Sequence, residues 1–388
     1  MTGGPDPITD ILTYLQALVA IPTQYPPGDT TAMAAYLSDT LAEMGYTTGI
    51  HCREAGQDNV VAKLGSGSPR LVLNVHVDTV DAGDPSLWRS PPLEMTRIDD
   101  AVFGLGVANC KGSGAVQLWL AQEIARRGGP ARGEVVFTFV ADEESLGDNG
   151  TKFLCDEGIV SPDMLLLGAP TDNTITNTER GVLWVELTAH GAPAHAGQPG
   201  DGENAILRMV RVLDHLSGDM SARLAPRSHD GMQSTMNVGL IRGGRNNNVV
   251  PSLCTAQIDR RLLPDETVED ALAELQQSVA AAGEPEGSVE LQFLLGTNGF
   301  RCAIDGPLIS ALVEAVETVI AGSVEFSAGI GVSDGRHFTG RDIEIVNFGP
   351  GVGTEGHASN ESVTLDSLRL SARVLDRTFD SLLGYAKS

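Results

Sequence analysis

The sequence predicts an α/β fold that is interrupted by a smaller α+β domain. Three observations support this. Strand-like apolar runs alternate with helical spacing before residue 178, the middle of the chain has the order β-α-β-β-α-β, and the α/β alternation resumes near residue 300. At about 150 residues per domain, the chain is long enough for two or three domains. We expect residues 179–297 to be inserted between residues 1–178 and 298–388 of one larger domain.

The first part of the chain contains helices and buried strands in alternation. Apolar residues at helical spacing predict helices over 9–20, 32–44 and 113–127. Short continuous apolar runs predict strands that are buried on both faces over 59–64, 71–77, 134–140 and 164–168. Such strands are typical of a sheet covered by helices.

The pattern changes after Thr178. The segment 181–191 alternates like a half-exposed strand, and it is followed by predicted elements in the order helix 203–216, strands 235–241 and 248–263, helix 268–283 and strand 288–295. This order is ferredoxin-like. The remaining chain predicts a helix over 306–320, strands near 323–327 and 343–348, and a last helix over 365–383 that begins after Thr364.

Composition limits the partners and the location. The formal net charge of −25 makes a nucleic acid or an anionic membrane an unsuitable partner. No apolar run reaches the roughly 18 residues of a membrane span, and the N-terminal residues lack the basic and apolar regions of a signal peptide. The five cysteines are odd in number and widely spaced, which favours a reducing compartment. We therefore expect a cytoplasmic protein that acts on a small molecule.

His76 and Asp78 lie at the end of a predicted buried strand. Ligands of open α/β sheets bind at the carboxyl ends of strands, and a histidine with a nearby carboxylate is a common metal-ligand arrangement. This pair therefore suggests a metal site. Taken alone, however, such a pair more often indicates a structural histidine.

Three adjacent carboxylates, Asp142, Glu143 and Glu144, follow another buried strand. Such neighbours repel one another unless a cation or a proton relieves them. One of them suits a metal ligand and another suits a general base. The alternative is a solvated acidic loop.

Two glycine-rich segments complete the candidate regions. The segment 104–112 is a turn before a helix, and it lacks the spacing of either common phosphate-binding loop. His357 lies in a second glycine-rich loop, between a strand and the last helix. It is a candidate ligand, with a surface histidine as the alternative.

Taken together, these segments resemble the peptidase M20 family of metallohydrolases, which includes acetylornithine deacetylases, succinyl-diaminopimelate desuccinylases and glutamate carboxypeptidases. The motifs occur in one order over nearly the whole chain: HVDTV (76–80), GLGVANCKG (104–112), DEE (142–144), NTERG (177–181), GAPAHAG (191–197), NVVP (248–251), DRRLLP (259–264), SDGR (333–336), FGPG (348–351) and HASNE (357–361). The resemblance implies a metal-dependent exopeptidase-like catalytic domain, a three-layer αβα fold with a mixed sheet. It also implies a ferredoxin-like lid that mediates dimerisation.

The resemblance also implies roles for particular residues. The implied metal ligands are His76, Asn109, Glu144 and His357. The implied catalytic set is Glu143 as the general base, His195 of the inserted domain acting in the partner subunit's site, and Asp78 behind His76. The implied positions for binding a substrate carboxylate are Asn248, Arg260 or Arg261, Arg336 and Gly351. The family further holds a cis peptide after the bridging residue, here Asn109–Cys110.

Two positions depart from the family pattern. Asn109 stands where the family has an aspartate that bridges two metals, and Ala169 stands where a Gly-Glu-Pro-Thr motif supplies another ligand. With two carboxylates fewer, the ligand charge balances one dication rather than two. We therefore expect one tightly bound ion per chain, centred on Glu144 and His357, with Zn as the first choice and Mn or Co as alternatives. Asp172 is the residue that would restore part of the missing charge.

The resulting prediction is a metal-dependent hydrolase that acts on an amide bond of a small carboxylate-bearing substrate, such as an N-acyl amino acid or a dipeptide. The resemblance implies a metal-bound water as nucleophile, Glu143 as base and a homodimer formed through the lid domain. Two alternatives stay open. One is hydrolysis of another C–N bond, in an aryl-amine or carbamoyl compound, and the other is a binding or scaffold protein that has lost its metals.

Overall fold

The computed structural model describes residues 6–229, 231–320, 324–329 and 331–387. Its α-helices are α1 (Ile8–Ala20), α2 (Thr31–Glu43), α3 (Lys111–Arg126), α4 (Thr151–Asp156), α5 (Ala205–Leu224), α6 (Val268–Ala281), α7 (Pro307–Ile320) and α8 (Leu365–Leu382). In these residues, no helix combines the length and apolar character needed to cross a bilayer.

The strands, in chain order, are β1 (Gln24–Tyr25), β2 (Thr47–Cys52), β3 (Asp58–Gly65), β4 (Arg70–His76), β5 (Thr79–Val80), β6 (Thr96–Ile98), β7 (Ala101–Phe103), β8 (Glu134–Val140), β9 (Met164–Leu167), β10 (Ile175–Glu179), β11 (Gly181–His190), β12 (Ser228–His229), β13 (Met232–Gln233), β14 (Thr235–Gly243), β15 (Leu253–Leu262), β16 (Val289–Thr297), β17 (Phe300–Arg301), β18 (Phe326–Gly329), β19 (Glu344–Asn347) and β20 (Ser362–Thr364).

The chain forms two compact units. The first contains the described residues of 1–177, 302–327 and 333–388, and the second contains those of 178–301 and 328–332. The first unit is built on a mixed sheet in which β10, β19, β9, β4, β8, β3 and β2 are neighbours in that order. The strands from β19 to β8 run parallel, whereas β10, β3 and β2 pair antiparallel to their neighbours. The α/β class and the mixed sheet are as predicted.

Helices α1, α2, α3, α7 and α8 share one apolar core with this sheet. All four residues of β9 and all seven of β8 are buried, which explains their largely apolar sequences. β4 and β8 pair in parallel with His76 opposite Val140. Their carboxyl ends therefore lie side by side, and the residues that follow each strand meet at one edge of the sheet.

The second unit has the order β11-α5-β14-β15-α6-β16 and the sheet order β14-β15-β11-β16, with all neighbours antiparallel. This is the predicted ferredoxin-like arrangement. Helix α5 continues eight residues beyond the predicted end at residue 216, because Met220 and Leu224 extend its buried stripe. Asn204 caps this helix by accepting the N–H groups of Ile206 and Leu207.

The remaining predicted elements agree with the structure within about five residues, whereas several short strands, among them β2 and β10, a helix and a 3₁₀ turn were not predicted. The short helix α4 and a 3₁₀ turn at Asp334–Phe338 were not predicted, because neither carries a periodic apolar pattern. Residue 323, the start of one predicted strand, lies outside the described residues, and the observed strand β18 begins at Phe326. Helix α4 and the 3₁₀ turn both contribute to the site described next.

Candidate metal centre and active site

His76 ends strand β4, and its ring is oriented by the next turn of chain. Its Nδ1 atom lies 3.0 Å from the backbone oxygen of Asp78 and 3.4 Å from the Oδ1 atom of the same residue. The Nε2 atom therefore faces away from Asp78 as the ligand atom. Asp78 is itself held, because its Oδ2 atom accepts the N–H of Glu144 at 3.0 Å. The pair thus has the arrangement of a metal-ligating histidine with a supporting carboxylate.

Glu143 and Glu144 follow strand β8 and bring their carboxylates toward His76. Ligand atoms of these three residues all lie within 4.8 Å of one another. The third acidic residue of the motif, Asp142, has a structural role. Its carboxylate accepts hydrogen bonds from the hydroxyl of Ser145 and the backbone N–H of Asn149, and so stabilises the loop that follows β8. The acidic run is therefore a structured cluster rather than a solvated loop.

Asn109 completes a hydrogen-bonded triangle with Glu144 and His357. Its Nδ2 atom lies 2.8 Å from Glu144 Oε1 and 3.0 Å from His357 Nε2, and these two atoms are 2.9 Å apart. The Asn109 Oδ1 atom accepts the thiol of Cys110 at 2.9 Å. The Asn109–Cys110 peptide bond is cis, as the resemblance implied. Half a turn of the amide would exchange its oxygen and nitrogen and present the oxygen to Glu144 and His357.

Glu361 fixes the loop that carries Asn109. Its Oε1 atom accepts the N–H groups of Ala108 and Asn109 at 2.8 and 2.7 Å, and its Oε2 atom accepts that of Gly106 at 2.8 Å. Glu361 is 2% exposed. Glu361 is the last residue of the HASNE motif, and the motif resemblance implied no role for it. Its proximity to His357 was the available signal.

The electrostatic balance of the site favours an added cation. Burial raises the pKa of Glu143 to about 8, although His76 and Arg336 lower it. Burial opposes the charged form of His76, but Cys110 and Glu143 outweigh it and raise its pKa well above the usual range. The hydrogen bond to Glu144 raises the pKa of His357. The protein thus favours positive charge at both histidines and disfavours a full set of ionised carboxylates.

Gly351 and Arg336, two predicted substrate-binding residues of the first unit, contact other residues of the protein. The Gly351 N–H donates to Ser367 Oγ and its carbonyl accepts from Asp172. A Cβ at position 351 would lie 3.1 Å from the Cα and Cβ of Ala108, so the glycine serves close packing beside the Asn109 loop. Arg336 is buried next to Glu143, with 3.6 Å between Nη1 and Oε1.

Asp172, the residue that could have replaced the carboxylate missing at Ala169, does not join the cluster of metal-ligand atoms. Among the described residues, the closely spaced acidic and histidine ligands are His76, Glu143 and Glu144, without Asp172. Burial and the nearby charge of Glu355 raise the pKa of Asp172. Its backbone N–H donates to Gly351 O at 2.7 Å. Asp172 therefore belongs to a neighbouring turn, and Ala169 has no side-chain replacement in this group.

His195 and Asn248 lie together in the second unit. His195 forms an isolated antiparallel bridge with Val249, and Ala196 donates its N–H to the Asn248 carbonyl at 3.0 Å. His195 Nδ1 accepts the N–H of Gly197 at 3.0 Å, so a neutral ring carries its proton on Nε2. Both side chains are exposed. The second unit therefore carries an exposed histidine and an exposed amide on two adjacent backbone segments.

Arg260 and Arg261 were alternative candidates for binding a substrate carboxylate, and their environments differ. Arg260 is fully buried and bonds through Nη1 to Ser234 and through Nη2 to Glu266 at 2.7 Å. This pairing occupies its guanidinium inside the second unit, so we leave it out of the candidate substrate site. Arg261 is partly exposed and pairs with Asp259.

Comparison with known proteins matches residues 72–381 to the model of peptidase family M20/M25/M40. The fold is similar to that of an M20 family metallo-carboxypeptidase from Sulfolobus solfataricus, with 16% identity, a TM-score of 0.79, and coverage of 97% of this chain and 99% of that one. A tripeptidase from Staphylococcus aureus has 21% identity, a TM-score of 0.77 and 98% coverage of both chains.

The YXEP protein of Bacillus subtilis, described as a dinuclear metal-binding peptidase of the M20 family, has 14% identity, a TM-score of 0.72, and coverage of 98% of this chain and 99% of that one. These structures confirm the predicted fold, and the family match spans most of the chain. The resemblance found in the motifs is therefore confirmed, and the chain belongs to peptidase family M20/M25/M40.

Proposed function

We propose that the chain is a metal-dependent hydrolase that cleaves an amide C–N bond in a small carboxylate-bearing substrate, such as an N-acyl amino acid or a dipeptide. The observation that carries this proposal is the cluster of His76, Glu143 and Glu144, whose ligand atoms lie within 4.8 Å of one another. His357 extends the cluster through its 2.9 Å contact with Glu144. Family membership supports the general reaction, hydrolysis of peptide or related amide bonds with a metal ion.

The donor set fits one divalent ion. His76, Glu144 and His357 would hold it, and the Asn109 amide would add its oxygen after a half turn. Imidazole and carboxylate donors suit Zn, with Mn and Co as alternatives. A carboxylate bridges two ions through its two oxygens, whereas Asn109 has one amide oxygen and Ala169 has no donor. We therefore propose one tightly bound ion per chain.

The charges around the cluster favour a bound cation. Three of the surrounding carboxylates are buried, and two cationic side chains, those of Lys111 and Arg336, lie among them. The acidic side chains are those of Asp78, Glu143, Glu144, Asp334 and Glu361. With all groups in their usual charge states, the excess of negative charge is larger than one dication neutralises. A proton on Glu143, whose pKa burial raises to about 8, would offset part of the remainder.

The roles of the protein side chains follow from their positions. A divalent ion supplies a Lewis acid that acidifies a water and polarises a carbonyl. Glu143 takes a proton from the attacking water and delivers it to the leaving amine nitrogen, which gives a carboxylic acid and a free amine. Asp78 holds His76 in the ligand orientation. The raised pKa of Glu143 suits a group that must both accept and return a proton near neutral pH.

The proposed substrate-binding residues of the second unit are His195, Asn248 and Arg261. The Nε2–H of His195 suits donation to the oxygen that becomes negative during attack, and Arg261 suits a substrate carboxylate. We propose that His195 serves the partner subunit in a homodimer formed through the second unit. The five cysteines are free, and we propose a reducing, cytoplasmic location.

One observation favours a second candidate function. Asn109, Glu144 and His357 satisfy one another's hydrogen bonds without a metal, which is compatible with a binding protein derived from a hydrolase. Retention of Glu143, Glu144, His76, His357 and His195 weighs against it. An aryl-amine or carbamoyl substrate is the alternative within the hydrolase class.

The test combines metal analysis with a substrate screen. Protein purified without added metal should contain or bind one tight equivalent of Zn, Mn or Co per chain. It should then hydrolyse at least one member of a panel of N-acyl amino acids, dipeptides, aryl-amine amides and carbamoyl amino acids, and a chelator should abolish that activity. Metal binding without hydrolysis of any member would favour the binding protein.

A further inference from the structure

Arg336 is a buried cation between two carboxylates of the first unit. Its Nη1 atom lies 3.6 Å from Glu143 Oε1, and its Nη2 atom lies 3.7 Å from Asp334 Oδ1. The side chain is 3% exposed, and neither atom has a hydrogen-bond partner within the described residues. A substrate carboxylate that approached this guanidinium would meet the carboxyl groups of Glu143 and Asp334, which already flank it. Arg336 is therefore poorly placed to bind one, although the sequence suggested that role.

Asp334 is anchored to the strand that carries the metal ligand. Its Oδ2 atom accepts the hydroxyl of Thr151 at 2.8 Å, and the Thr151 Oγ1 atom accepts the side-chain N–H of Asn74 at 2.9 Å. All three residues are buried. Asn74 precedes His76 by two residues on β4, and Thr151 begins α4 directly after the loop of Glu143. These bonds fix Asp334 relative to β4 and α4, and Asp334 in turn faces the Arg336 guanidinium at 3.7 Å.

Glu143 is held from two sides. Its Oε1 atom faces Arg336, and its Oε2 atom lies 3.8 Å from His76 Nε2. A general base requires one oxygen to be aimed at the proton it removes, and a small misplacement costs a large factor in rate. Oε1 thus lies on the side of the Arg336 charge, and Oε2 lies on the side of His76.

We propose that Arg336 is a positioning residue for the general base, which holds Glu143 through Oε1 and is itself held by the chain of Asp334, Thr151 and Asn74. This inference rests on the proposed role of Glu143. The ion-pair distances are longer than hydrogen bonds, and such contacts commonly tighten when substrate binds. Arg336 contacts no substrate in this assignment.

The kinetic test compares Arg336→Ala and Arg336→Lys with the wild type on an N-acyl amino acid and on its carboxamide counterpart. We expect Arg336→Ala to lower kcat about 100-fold on both substrates, with little change in KM. Lysine at this position should recover part of the loss. Added guanidinium ion, but not the same concentration of sodium, should also recover part of it. Arg341→Ala is the matched control, since Arg341 is exposed and stacks over Phe338.

A rise in KM that is confined to the carboxylate substrate would overturn the proposal, because it would make Arg336 a substrate ligand. The double variant Glu143→Gln/Arg336→Ala gives a second criterion. If Arg336 acts through Glu143, the double variant should be about as active as Glu143→Gln alone. A full additional loss would mean that the two residues act independently, and would contradict the proposal.

A crystal structure of Arg336→Ala provides a readout that needs no activity. We expect the Glu143 side chain to leave its place between His76 and position 336, while His76 and Glu144 stay. An unchanged Glu143 conformer would overturn the positioning role. If the wild type hydrolyses nothing in the panel, the proposed function fails, and this structure still decides whether Arg336 orients Glu143.

Discussion

Glu361 Oε1 accepts the backbone N–H of Asn109 at 2.7 Å, and the same carboxylate accepts the N–H groups of Ala108 and Gly106. One buried carboxylate thus orients the loop that presents Asn109 to Glu144 and His357. Burial raises the pKa of Glu361, although the three N–H donors oppose the shift. Glu361 therefore acts on Asn109 through the backbone.

Replacement of Glu361 by alanine should destabilise the first unit and disturb the metal site together. Three buried N–H groups would lose their acceptor, and a loss of about 3 kcal/mol in the free energy of unfolding is expected. Glu361→Gln keeps one acceptor oxygen, and its stability should lie between that of Glu361→Ala and that of the wild type. Thermal unfolding and metal affinity are the measurements. Glu355→Gln, at an exposed position of the same loop, is the control, and equal stability of Glu361→Ala and wild type would contradict the prediction.

Asn109→Asp should strengthen metal binding, because it replaces a neutral donor with a charged one that has two ligand oxygens. We expect a gain of about tenfold or more in affinity for the first ion. The double variant Asn109→Asp/Ala169→Glu, which restores both missing carboxylates, should bind two ions. Isothermal titration and elemental analysis give the stoichiometry. Asn246→Asp, an exposed position of the second unit, controls for net charge. Two tight ions in the wild type would contradict the one-ion proposal.

The core of the site could be predicted because it depends on local sequence and on strand pairing. His76 and the acidic run each follow a buried apolar strand, and β4 and β8 are parallel neighbours in register. Their following residues must therefore meet. The contact of Thr151 with Asp334 joins residues 183 positions apart, and neither segment has a periodic pattern. No local signal could have predicted it.

The alternation of buried residues along β15 distinguishes Arg260 from Arg261. Cys254, Ala256 and Ile258 are buried on one face of β15, and Arg260 continues that alternation. Side chains two residues apart share a face of a strand. The sequence therefore indicated that Arg260 points into the unit and Arg261 points out of it. What it could not indicate is the partner, since Glu266 reaches Arg260 through the turn after the strand.

Glu143→Gln should abolish turnover without removing the metal. The amide keeps the size of the side chain but accepts no proton from water, so a loss of about two to four orders of magnitude in kcat is expected. Metal stoichiometry should be unchanged. Steady-state kinetics and elemental analysis on the same preparation test this. Glu157→Gln, at an exposed position after α4, should retain full activity. Near-normal turnover of Glu143→Gln would remove Glu143 from the mechanism.

Glu266→Gln should destabilise the second unit, because it leaves the buried Arg260 without its counter-charge. A cost of about 3–5 kcal/mol in the free energy of unfolding is expected at neutral pH. Burial raises the pKa of Glu266, but the bonds from Ser234, Leu263 and Arg227 and the charge of Arg260 outweigh it and lower the pKa below its usual range.

The sign of the pH dependence follows from that direction. A carboxyl whose pKa is lower in the folded state contributes stability above its unfolded pKa, near 4.3, and loses the contribution as the pH falls through the folded value. The stability difference between wild type and Glu266→Gln should therefore shrink below about pH 4. Urea unfolding across this range measures it. Glu269→Gln, exposed in the first turn of α6, should change stability by less than about 1 kcal/mol.

His195→Ala and Glu143→Gln subunits should complement each other if His195 serves the partner's site. In a mixed dimer, one site would combine the intact Glu143 of the first chain with the intact His195 of the second, and the other site would lack both. Random pairing of equal amounts would then give about one quarter of the wild-type activity. The experiment mixes the two inactive variants under conditions in which exchange is verified by differently labelled subunits. The control is a mixture of His195→Ala with the double variant His195→Ala/Glu143→Gln, in which no site is complete. Verified exchange without recovery of activity would mean that His195 acts in its own chain or has no part in the reaction.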